Sequence, residues 1–194
     1  MCDAMSAMKK VLIVSGYPDL AASLANATIL AEVEKLLPEA EIRRLDSLYP
    51  DYRFNIASEQ QALLAADIIV WQFPFSWYSV PGLMKLWLDQ VFLHGFSHGA
   101  QKQLSGKKLL LSFTAGAPPP ALYTRGGAFG HAVEDYLMPF VTLAFLCGLD
   151  LQPPVYSTGL SYATRGDAAA IEKQRVAAQA HAAQLIAAIR QLAD

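Results

Sequence analysis

The chain has 194 residues, 54% of them hydrophobic, and a formal charge of −2. That length suits one domain with a sizeable core, and the small charge excludes the basic field that draws proteins to nucleic acid or anionic membranes. No apolar run reaches about eighteen residues, the length needed to span a bilayer.

In chain order, residues 1–8 carry Asp3 and no apolar segment of signal-peptide length, which predicts a disordered tail ahead of a domain over 9–194. Residues 9–14 form a short apolar run opened by lysines and closed by Ser15-Gly16, the pattern of a strand buried on both faces. Apolar residues recur at helical spacing from Ser23 to Leu37, and Pro38 ends the run. The alternation then predicts a strand over 41–46, a helix over 58–65 and a strand over 67–73. It continues with a helix over 81–92, a strand over 108–114, a helix over 132–147, a strand over 154–158 and a helix over 167–193 capped by Asp167. Five strands alternating with five helices predict an α/β fold with a parallel, doubly wound sheet, whose ligands bind at the C-terminal ends of strands. Cys2 falls in the tail and Cys147 in an apolar helical stretch, so no disulfide framework is expected and a reducing, cytoplasmic location is.

The loops after the first, third and fourth strands are therefore the places to look for chemistry. The first, residues 15–26, brings Ser23 and Asn26 to the start of a helix, whose free N–H groups and partial positive charge suit a phosphate. Ser23 also reads as a plain N-cap. The loop matches neither the Gly-rich dinucleotide fingerprint nor the Lys-bearing triphosphate loop. The second loop, residues 73–82, sets Phe75, Trp77 and Tyr78 between Pro74 and Pro81. Rings on a surface turn need cover, from the core, a planar ligand or a partner subunit. The third, residues 114–123, combines small residues, which let backbone approach a flat ring, with a proline-stiffened flap ending in Tyr123.

These loops, together with the stretch from Ala57 to Pro74, Trp77-Tyr78-Ser79-Val80-Pro81 and Lys85-Leu86-Trp87-Leu88-Asp89-Gln90-Val91-Phe92, resemble the flavodoxin-like NAD(P)H:quinone oxidoreductase family. That family includes DT-diaphorase and the ancillary oxidoreductases of glutathione-gated potassium-efflux systems. The resemblance implies a three-layer sandwich with a five-stranded parallel sheet, order 2-1-3-4-5, and helices on both faces. It implies a flavin whose phosphate rests on Ser23 and Asn26 and whose ring runs along Pro74, Phe75, Trp77 and Tyr78. Thr114, Gly116 and Ala117 would meet the pyrimidine end, and Tyr17, Leu24, Ser76 and Ala115 complete the expected cofactor-binding set. Gly116, through its backbone N–H, and Tyr123, in the substrate pocket, are the expected catalytic residues. FMN is favoured over FAD, because the chain lacks the long segment after strand two that helps hold adenine in DT-diaphorase.

The implied reaction is a two-electron, ping-pong hydride transfer from NAD(P)H through the flavin to a quinone or similar small electrophile, in a homodimer. The alternatives are a regulatory flavoprotein attached to a membrane potassium-efflux transporter, and an azo or nitro reductase. Tyr17, Ser76, Ala117 and Phe129 stand where the family commonly has histidine, glutamine, a second glycine and histidine, with His131 two residues past Phe129. His94, His98, His131 and His181 show no metal-ligand spacing, and no metal site is expected. Arg125 reads either as a nicotinamide-phosphate contact or as a solvated loop residue.

Overall fold

The computed structural model describes residues 9–116, 122–161 and 167–194. The expected tail, Cys2, and Ala117 with the prolines after it lie outside the described residues. Strands β1 (Val11–Ser15), β3 (Ile68–Pro74) and β4 (Lys108–Thr114) form the sheet centre, and their apolar runs are almost wholly buried. Strand β2 (Glu41–Arg44) flanks β1, and the segments β5 (Asp150–Leu151) and β6 (Val155–Ser157) both pair with β4. Every pairing is parallel, and the order β2-β1-β3-β4-β5 is the one the family resemblance implied.

Side chains alternate across a strand, and that alternation divides the interior into two cores. Val11, Ile13, Ile68, Val70 and Leu110 face helices α1 (Leu24–Leu36) and α6 (Ala168–Ala193). Leu12, Val14, Ile69, Trp71, Phe73, Leu109, Leu111 and Phe113 face the other layer, built from α3 (Ile56–Ala65), α4 (Gly82–Val91) and α5 (Met138–Cys147). Cys147 is a buried residue of that second core, and burial raises its thiol pKa.

Four boundaries differ from expectation. The strand expected over 41–46 stops at Arg44, and Leu45–Leu48 turns into a single-turn helix, α2, which buries Leu45 and brings the Asp46 carboxylate to the Leu20 N–H at 2.9 Å. Helix α3 starts at Ile56, because Asn55 caps it by accepting from the Ser58 N–H at 3.1 Å. The helix expected over 132–147 is a 3-10 turn, Val133–Leu137, followed by α5; Pro139 sits in the first turn of α5, and Gly148 closes it at φ +71°. The strand expected over 154–158 is the second half of an edge split at Pro153-Pro154, where two residues without N–H donors cannot continue the ladder. Asp167 does cap α6, accepting from the Ala169 N–H at 2.9 Å.

Candidate functional site

The three loops meet above the sheet. Gly16 leaves β1 by donating its N–H to the Gln72 carbonyl at 2.9 Å, and a Cβ there would lie 2.5 Å from the Met84 sulfur, so the close pass requires glycine. The chain then turns through Leu20–Ala22 into α1, where Ser23 is the N-cap. Ser23 Oγ accepts from the Asn26 N–H at 3.2 Å and from Asn26 Nδ2 at 3.1 Å. The same amide nitrogen donates to Thr114 Oγ1 at 3.1 Å, while Asn26 Oδ1 accepts from Gln72 Nε2 at 2.8 Å. Asn26 thus locks the first loop to the third. The second loop joins them through the Phe75 N–H, which donates to the Thr114 carbonyl at 2.8 Å.

Between the loops lies an open cleft of about 630 Å³. Tyr17, Ser23, Leu24 and Asn26 line it from the first loop, Pro74, Phe75, Ser76 and Trp77 from the second, and Thr114 and Gly116 from the third. Among the described residues its lining holds no lysine or arginine; the polar groups are hydroxyls, the Asn26 and Gln174 amides, the Asp19 carboxylate at the outer turn and the start of α1. Hydroxyl donors at a helix start suit a phosphomonoester, and the adjoining aromatic wall suits a planar ring, so these residues fit a flavin mononucleotide. Trp77 and Tyr78 hold φ of 48° and 68°, a left-handed backbone that costs a bulky residue roughly 1–3 kcal/mol. That turn leaves Trp77 93% exposed at the rim.

Three expected residues stand apart from the cleft lining. Ala115 is buried, with its N–H donated to the Ser157 carbonyl and its carbonyl accepting from the Leu160 N–H. Tyr78 stacks on Tyr136 with ring centres 5.1 Å apart and meets Phe129 edge-on. Tyr123 is buried against Phe129 at 5.2 Å and meets Tyr136 edge-on; burial, then the neighbouring Tyr78 and Tyr136, raises its phenol pKa. These tyrosines form an aromatic cluster beside the cleft, and His131 packs on its Tyr136. Arg125 is mostly exposed and engages the Asp135 carboxylate at 2.7 and 3.3 Å.

The sequence reading missed the far wall, Leu160 and Gln174, and the polar residues behind the cleft: Gln72, Ser112, Ser157 and His181. A signal was present. Gln72 and Ser112 interrupt otherwise apolar strands at paired register positions, and a fully buried polar residue at such a place demands a partner.

A sequence-family profile described as "Flavodoxin-like fold" matches residues 9–182. The chain is 42% identical, over 145 residues, to the glutathione-regulated potassium-efflux system ancillary protein KefF of Enterobacter sp. (strain 638), covering 74% of this chain and 80% of that one. The general stress protein 14 of Treponema denticola, solved in complex with FMN, superposes with a TM-score of 0.80 at 30% identity, covering 92% of this chain and 98% of that one. An NADPH-quinone reductase from P. pentosaceus superposes with a TM-score of 0.73 at 26% identity, covering 89% and 97%. The expected sheet order, the convergence of loops on one cleft and the extent of these matches agree, and the chain belongs to the flavodoxin-like fold family.

Proposed function

We propose that the protein is a flavin-dependent NAD(P)H:quinone oxidoreductase that seats FMN in the cleft above β1, β3 and β4. The observation that carries this reading is the joining of Ser23, Asn26 and Thr114 into one buried hydrogen-bonded unit beside the Pro74–Trp77 wall. Similarity to a protein solved with FMN and to one described as an NADPH-quinone reductase supports it. When bound, the flavin supplies hydride acceptance from the nicotinamide and two-electron delivery to the quinone.

In this reading Ser23 and the first N–H groups of α1 hold the phosphate. Gly116, on the cleft lining, would offer its backbone N–H to the flavin edge that gains negative charge. Pro74, Phe75 and Trp77 support the ring face. Tyr123 keeps its proton at neutral pH, since its pKa lies above the usual phenol value, and in this reading it would donate to an acceptor only where that acceptor extends past the cleft lining to the aromatic cluster. Heating the purified protein is expected to release FMN, identified by mass, and NADPH mixed with a benzoquinone is expected to lose its nicotinamide absorbance. Absence of flavin after reconstitution would overturn the assignment.

A second reading has a specific observation behind it. Similarity to a potassium-efflux ancillary protein supports a regulatory flavoprotein whose turnover is incidental, acting on a membrane transporter from the cytoplasmic side. Negligible quinone turnover by flavin-loaded protein would favour it. Among the described residues no helix is long and apolar enough to cross a membrane.

A homodimer belongs to either reading. Helix α5 turns Met138, Val141 and Phe145 to solvent at helical spacing, with Phe145 84% exposed. An apolar stripe of this kind on a monomer calls for a partner, and a second copy of the chain is proposed to cover it. Sedimentation is expected to give twice the monomer mass, and Phe145→Glu is expected to halve it. A monomeric wild type at micromolar concentration would refute the assembly.

A further inference from the structure

Behind the cleft a single file of hydrogen-bonded polar side chains, buried except for the half-buried Ser157 at its end, runs from α1 through β3 and β4 to α6 and β6. Ser23 Oγ and Thr114 Oγ1 both accept from Asn26 Nδ2. Asn26 Oδ1 accepts from Gln72 Nε2, and Gln72 Oε1 accepts from the Ser112 hydroxyl. Ser112 Oγ lies 2.9 Å from His181 Nε2, and His181 Nδ1 lies 2.9 Å from Ser157 Oγ. His181, Gln72 and Ser112 have no exposed surface, and Asn26, Ser23 and Thr114 are buried as well.

Such a chain has two self-consistent polarities. Because the Ser112 proton is spent on Gln72, Ser112 can only accept from His181, which fixes the neutral imidazole with its hydrogen on Nε2 and leaves Nδ1 to accept from Ser157. In that polarity the Asn26 amide gives both its hydrogens away, and the hydroxyl protons of Ser23 and Thr114 remain free to point into the cleft. In the opposite polarity, with the hydrogen on Nδ1, both amides turn over and the two hydroxyls donate inward to Asn26 Oδ1. The cleft would then face acceptors, the wrong chemistry for an anion.

We infer that His181, as its Nε2–H tautomer, is a positioning residue that aims the Ser23 and Thr114 hydroxyls into the cleft as hydrogen-bond donors, through Ser112, Gln72 and Asn26. This rests on the cleft taking a phosphate-bearing ligand. Because each link is a hydrogen bond with one direction, an anion at Ser23 and the hydrogen at His181 Nε2 favour one another.

Ring nitrogen chemical shifts of His181 in flavin-free, ¹⁵N-labelled protein read the tautomer directly; protonated Nε2 with bare Nδ1 is expected, and protonated Nδ1 would overturn the inference. The second measurement compares affinities for FMN and for riboflavin, which lacks the phosphate. His181→Gln, which keeps an N–H donor toward Ser112, is expected to hold the FMN-to-riboflavin preference within about threefold of wild type. His181→Met, which has no donor, is expected to lose about tenfold of that preference, a change of roughly 1.4 kcal/mol. Equal preference in the Met variant and wild type would refute the role, while a loss of overall stability alone would lower both affinities together and leave the ratio intact. Failure of the wild type to bind either flavin would overturn the proposed function, and the tautomer would still decide the polarity of the chain.

Discussion

Replacing Glu59 by alanine is expected to destabilise the fold by about 3–5 kcal/mol, the cost of stripping one partner from a buried ion pair. The Glu59 side chain is wholly buried and is the hub of a cluster. One carboxylate oxygen accepts from Arg43 Nε at 2.8 Å, from Arg43 Nη2 at 2.5 Å and from the Tyr49 hydroxyl at 2.5 Å, while the other accepts from Trp87 Nε1 at 2.9 Å. Burial works against the Arg43 charge, but hydrogen bonds to Glu59 and Glu41 outweigh it and hold the guanidinium more firmly protonated than usual. Burial and the bond to Glu59 likewise raise the Tyr49 pKa. Removing Glu59 would leave a largely desolvated cation, a phenol and an indole N–H facing a void. Urea unfolding followed by circular dichroism checks the figure. The double variant Glu59→Leu with Arg43→Met is expected to recover the part of the loss that comes from the stranded Arg43 charge, while the Tyr49 hydroxyl and the Trp87 N–H stay without an acceptor. A single-variant loss below about 1 kcal/mol would mean the cluster is solvated in solution.

The second large effect is acid lability. Burial lowers the pKa of His181 from 6.5 to about 4, and its two hydrogen-bond partners are uncharged serines. As pH falls below 6.5 the unfolded chain takes up a proton that the folded chain refuses until about pH 4. The stability supplied by this residue is therefore complete above 6.5 and drains away between 6.5 and about 4. Lowering the pH from 7.5 to 4.5 is expected to cost about 2–3 kcal/mol through this group alone. The measurement is the shift in urea midpoint between those two pH values, in wild type and in His181→Gln. The variant is expected to lose most of the shift; an equal shift in both would assign the lability to the carboxylates instead.

Much of the fold was legible because the central strands are buried on both faces and read as unbroken apolar runs: Val11–Val14, Ile68–Val70 and Leu109–Leu111 have few alternatives as sequence. The edge was harder. Asp150–Leu151 pairs over two residues only, too short to have a pattern, and Leu45 belongs to a helical turn because its pocket, not its periodicity, dictates so. Loop residues were recognisable in kind more than in place. Ser23, Asn26 and Thr114 are drawn together by one amide, which local composition cannot reveal across the 88 residues separating Asn26 from Thr114. Tyr123 and Tyr78 join an aromatic cluster with Tyr136 and Phe129, ring contacts between loops that the local sequence does not show. His181 gave no sign, as an isolated histidine in an alanine-rich helix, yet it links the polar file to Ser157.

The left-handed turn at Trp77 has a practical consequence for anyone working with this protein in solution. Of its three tryptophans, Trp71 and Trp87 are sealed in the interior and Trp77 stands almost free at the mouth of the cleft. Its fluorescence therefore sorts itself by colour and quencher access: the blue component reports the integrity of the fold, and the red, quenchable component reports the cleft mouth, with no dye attached.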